Sequence, residues 1–177
     1  MFPIKQVAAF ALAGACAATA LAQSAQQDVA ITAAVPKSCT IDGSATPGAL
    51  ATTIPVDGQG VVDTTIQTFD AGHVVCNAPT SVLATSVRGG VKSATKSGPD
   101  FTNIINYRGT ATFGTAKSTI NTGTQKGAAG PEAGPADVTA GPTQGPLTIQ
   151  IRPAQPTSPL VLGSDYNDVL RITLTPE

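Results

Sequence analysis

The chain has 177 residues, with ten Lys and Arg against eleven Asp and Glu, one histidine and no tryptophan. It carries no basic cluster to neutralise a phosphate backbone, which argues against nucleic-acid binding. With aromatics at only 4%, a core must be built from Val, Ile, Leu and Ala, and little remains to stack on bases or sugars.

Lys5 precedes an apolar run over residues 7–18, and Ala20-Leu21-Ala22 supplies a small-x-small cleavage site before Gln23. That order predicts a secretory signal peptide over residues 1–22. The run is shorter than the roughly 20 apolar residues of a membrane span, so no span is expected. Cys16 offers a second reading, a lipidated first residue, but Leu12 lies one position too far upstream of it. The exported remainder suits one domain that can bury a core.

After the signal, residues 23–37 form an extension. Within it Val29, Ile31, Ala33 and Val35 share one face of an extended segment, with the small Ala30, Thr32 and Ala34 on the other. Pro36 stops a ladder before Cys39, because proline has no N–H to give. Such a strand can be the first of the domain's own sheet or can join the sheet of another copy. Cys39 and Cys76 form an even pair in an oxidising compartment, which predicts a disulfide; two free thiols are the alternative. These cysteines and the lone His73 fall short of a zinc ligand set, so no metal or cofactor is expected.

Residues 38–177 predict a β domain. Residues 51–56 read as an edge-type strand because of Pro55. Residues 61–69 alternate loosely, Asp70-Ala71-Gly72 reads as a turn, and residues 73–77 form a strand that sets Cys76 opposite Cys39. Further strands are expected at 81–87, within 101–113 and at 117–122. Residues 123–146 are rich in Gly and Pro and predict an exposed loop with one short strand near 137–139. A clean alternation then places Leu147, Ile149 and Ile151 on one face until Pro153. The last segment has the firmest period of two: Tyr166, Asp168, Leu170, Ile172 and Leu174 share a face. Short β-rich runs between turns predict an all-β sandwich or barrel.

No chemistry is legible. There is no Gly-x-Ser-x-Gly elbow and no phosphate-cradling glycine loop. Asp165 and Asp168 could be a carboxylate pair for glycoside hydrolysis, but acids beside an edge strand serve more often as turn formers and guards against wrong pairing. The expectation is a protein without catalytic residues.

The signal, the alternating extension, the two cysteines 37 positions apart and the terminal Gly163-x-x-Tyr166-x-Asp168-x-Leu170-x-Ile172-x-Leu174 pattern together resemble the spore coat protein U domain family. That family includes subunits of archaic chaperone–usher pili. It usually has one residue between the glycine and the tyrosine, where this chain has two. The resemblance implies an immunoglobulin-like β-sandwich that lacks a strand and is completed by donor-strand exchange. It implies a periplasmic chaperone and an outer-membrane usher as partners, copies of the chain itself or related subunits as neighbours, and passage through the periplasm to the cell surface. Val29, Ile31, Ala33 and Val35 would be the groove-filling set, since strand addition seats alternate side chains in pockets. The expected function is thus a structural subunit of a pilus, fibre or coat. The alternative is a self-contained secreted β-sandwich that binds a ligand, through residues 123–146.

Overall fold

A computed structural model describes residues 30, 32–95, 97–123, 131–163 and 165–177. The expected signal peptide, and Val29 and Ile31 of the expected arm, lie outside the described residues. The chain divides into two units, Met1–Ala34 and Val35–Glu177. In the first, the described residues Ala30, Thr32, Ala33 and Ala34 are exposed and belong to no strand.

The second unit has no helix among its described residues, and none there is long and apolar enough to cross a membrane. In chain order its strands are β1 (Cys39–Ile41), β2 (Gln67–Cys76), β3 (Thr80–Ser86), β4 (Val91–Lys92), β5 (Ile104–Ile105), β6 (Tyr107–Phe113), β7 (Ala116–Asn121), β8 (Glu132–Ala133), β9 (Asp137–Val138), β10 (Thr143–Pro153) and β11 (Leu170–Pro176). One antiparallel sheet runs β1-β2-β10-β6-β7. A second runs β11-β3-β8, with β9 also on β3, and β4 pairs with β5 alone.

Alternation along the strands builds the core between these sheets. In β6, Tyr107, Ala111 and Phe113 are buried while Arg108 points outward; in β7, Ala116, Ser118 and Ile120 are buried. Val74 and Cys76 of β2 and Leu147 of β10 join them against Val82 and Ala84 of β3 in one cluster. Phe113 and Leu147 are its largest fully buried side chains. Small residues elsewhere in the cluster let the two layers approach, which suits a chain without tryptophan.

Cys39 and Cys76 are bonded, and they are register partners across β1 and β2. The bond closes a loop from a sequence separation of 37.

Several elements differ from expectation. Residues 70–72 are no turn: β2 runs through them, and Ala71 and Gly72 together oppose Leu147 as a bulge. A bulge adds one residue to one strand, so the inward set changes parity, from Phe69 and Ala71 before it to Val74 and Cys76 after it. Gly72 is required there. Its φ is 105°, and a Cβ would meet Asp42 Oδ2 at 2.3 Å, while Asp42 Oδ1 accepts the His73 amide at 2.8 Å. Residues 51–56 form no strand; Val56 makes a single bridge to Val62, and the Gln67 side chain instead bonds Thr52 and the Thr53 carbonyl. β10 begins at Thr143, inside the expected loop, because residues 143–146 extend the ladder along β2. β8 was not expected, whereas β9 lies where the short strand was. Tyr166 and Asp168 precede β11 rather than belonging to it, although the alternation of half-buried and exposed positions spans them.

Candidate functional site

The two flanks of the second sheet differ. On one, residues 132–139 cross from β3 to β7 and satisfy both. Gly134 N donates to Ala84 O and Thr139 N to Thr80 O. Between these bonds the Ala84 amide finds the Ser118 hydroxyl at 3.0 Å, and that hydroxyl donates to Pro135 O at 2.7 Å. The Lys117 amide donates to Asp137 Oδ2 at 2.8 Å. The crossing needs Gly134, since a Cβ would lie 2.4 Å from Thr119 O. This flank is sealed.

The other flank is β11, which pairs only with β3 among the described residues. In an antiparallel ladder, alternate residues turn both backbone groups toward the same neighbour. Val169 O accepts the Val87 amide and Glu177 N donates to Pro79 O, so the odd-numbered residues of β11 face β3. The N–H and C=O groups of Leu170, Ile172 and Leu174 therefore point away from it, along an edge with no ladder partner. Their side chains pack on the core cluster but remain half-buried. Leu170 and Ile120 both lie against Gly109.

Beside the start of β11 opens a cleft of about 1180 Å3, larger than the roughly 300–1,000 Å3 of small-molecule sites. Phe69, Ile149 and Ile151 line it from the first sheet, and residues 49–60, 159–163 and 166–170 form its walls. Five exposed apolar side chains line it as well: Leu50, Val56, Phe101, Leu162 and Val169, with Leu162 98% exposed. Sequence reading missed these residues because they come from separate loops. The only local signal was large apolar side chains in turn-rich stretches.

The segment leading into β11 is held firmly. Asp168 Oδ2 accepts hydrogen bonds from Ser86 Oγ at 2.5 Å and Tyr107 Oη at 2.7 Å, and its Oδ1 accepts the Arg88 amide at 2.8 Å. Burial pushes the Tyr107 phenol well above its usual range, so it stays a neutral donor. Asp165 takes the Ser93 hydroxyl and the Ala94 amide, and these bonds hold its carboxyl below the usual carboxylate range. Arg88 bonds the Asn167 side chain, and the Asn167 backbone pairs with Lys92 in both directions. Tyr166 lines the cleft and donates to Val161 O at 3.0 Å; burial raises its phenol too.

The remaining sequence-derived residues fall as follows. Val35 is 80% exposed, and neither it nor Ala33 belongs to a strand. Cys39 and Cys76 fasten β1 to β2. Asp165 and Asp168, read as a candidate acid pair, are each filled by donors from the chain itself: Asp165 by Ser93 and Ala94, Asp168 by Ser86 of β3, Tyr107 of β6 and the Arg88 amide. His73 is exposed on β2. Among the described residues no group of three or more His, Cys, Asp or Glu could hold a metal ion.

No family model, curated protein or solved structure matches the chain.

Proposed function

We propose that this chain is a structural subunit of a surface fibre or coat, and that copies join by β-strand addition beside β11. One observation carries this reading: the β11 edge, unpaired among the described residues and with half-buried Leu170, Ile172 and Leu174, borders an apolar cleft lined by exposed apolar side chains. An incoming strand would meet the free N–H and C=O groups and set alternate side chains into the groove. The extension offers seven residues, 29–35, with Val29, Ile31, Ala33 and Val35 on one face. β11 also has seven residues, so the two match at about 3.4 Å per residue.

In this reading the fold is an immunoglobulin-like sandwich short of one strand, as the resemblance to the spore coat protein U domain implies. A periplasmic chaperone would cover the edge before an outer-membrane usher exchanges it for the next subunit's extension. The alternative, a binding module working through residues 123–146, draws less support, because residues 132–139 are occupied in sealing β3 against β7.

The test compares the exported chain, residues 23–177, with an Ile31→Asp/Val35→Asp variant. The parent is expected to form oligomers that survive mild heating in detergent and collapse to one band on boiling, and the variant is expected to stay monomeric. A parent that is monomeric, and no more stable than the chain without residues 23–36, would refute the reading.

A further inference from the structure

On the outward face of the five-stranded sheet, Arg152 of β10 and Arg108 of β6 are register partners, and Arg108 is in turn opposite Asn121 of β7. The Ala154 amide donates to Asn106 O at 2.8 Å. Two positions along, Arg108 and Arg152 therefore form a hydrogen-bonded pair, with Cα atoms about 5.5 Å apart. Both side chains are exposed, and neither guanidinium makes an ion pair or hydrogen bond among the described residues. Like charges directly opposite each other on neighbouring strands repel. Half of the chain's four arginines are spent on this one pair.

Acids do not relieve it. Asp63 is occupied by the Thr65 amide at 2.9 Å. Asp70 is in register with Thr148, about 14 Å along β10 from Arg152 at 3.4 Å per residue. Glu132 is buried in register with Ser86. The two arginines line a notch of about 400 Å3 together with Asn106, Asn121, Thr64 and Thr122. Planar guanidinium forks are the donors that grip a multiply charged oxyanion, while the Thr122 hydroxyl is already held by the Tyr107 backbone.

We propose that this notch binds a phosphate or sulfate group, either as the free oxyanion or as an ester on a sugar. It lies on the outward face of its sheet and shares only Tyr107 with the lining of the cleft beside β11, and it does not depend on the assembly reading.

The experiment titrates the exported chain with inorganic phosphate, inorganic sulfate and glucose 6-phosphate by calorimetry, with chloride holding the ionic strength constant. Saturable binding at one site is expected. Arg108→Gln or Arg152→Gln should weaken it about tenfold or more, the double variant should abolish it, and Lys117→Gln should leave it unchanged. Tighter binding of the sugar ester would identify the ester as the ligand, and equal binding the free oxyanion. In chloride alone, Arg152→Gln should melt at or above the parent's temperature, because a repulsion is removed. Binding that persists in the double variant, no binding by the parent, or a lower melting temperature for Arg152→Gln in chloride would overturn the proposal.

Discussion

Amide hydrogen exchange reads the open edge directly. The parity of β11 assigns the N–H groups of Arg171, Thr173 and Thr175 to β3 and leaves those of Leu170, Ile172 and Leu174 without a ladder partner. A paired amide exchanges only when the strand opens, and local opening of a packed strand takes on the order of 4 kcal/mol. At about 1.4 kcal/mol per tenfold, the odd amides should exchange roughly 1,000-fold more slowly than free peptide. The even amides should exchange within about tenfold of it, so protection should saw-tooth along the strand. The measurement is residue-resolved exchange by NMR on the monomeric chain of residues 23–177. Adding a peptide of residues 27–37 should then slow exchange at Leu170, Ile172 and Leu174 specifically. Uniform protection along β11 before any peptide is added would mean that the edge is already covered, and would refute the reasoning.

Other consequences are open to measurement. Replacing both cysteines with alanine frees a loop of about 38 residues and should destabilise the fold by about 4 kcal/mol on the chain-entropy account. Over a unit of this size that amounts to a fall of roughly 10 °C in melting temperature, checked by calorimetry. Gly72→Ala should destabilise by about 1–3 kcal/mol through its positive φ and the Asp42 carboxylate, and Asp42→Ala in the same chain should recover part of that in urea unfolding. Because the folded carboxyl of Asp165 is depressed, its contribution is present above the unfolded value near 3.9 and is lost as pH falls through the folded one. Asp165→Asn or Ser93→Ala should therefore flatten the acid limb of a stability–pH profile.

How much of this was legible in the sequence follows the range of the interactions involved. The alternation of residues 165–176 and 147–152 is local, and it identified the inward faces of β11 and β10. The cysteine pair was expected from an even count after the expected signal peptide, and its opposed strands from the local strand pattern. Asp70-Ala71-Gly72 was misread because the same residue types serve a turn and a bulge, and only pairing with β10 decides between them. Gly145 and Pro146 look like loop, yet β10 runs through them because β2 offers a partner there. The Arg108–Arg152 pair was invisible because register alone brings those two stretches together, and the cleft was invisible because loops far apart in the chain supply most of its lining.

The bulge in β2 also constrains how this chain can vary. Because one surplus residue separates two half-strands of opposite numbering parity, losing Gly72 or Ala71 would leave a regular ladder in which the inward face runs on unbroken. Phe69 and Gln67 would stay inward on one side of the join and Val74 and Cys76 on the other, whereas a residue lost within 68–70 would turn Gln67 to the solvent. Insertions should be tolerated in the loop over residues 45–60, and within β2 the loss of one residue should be tolerated best at the bulge.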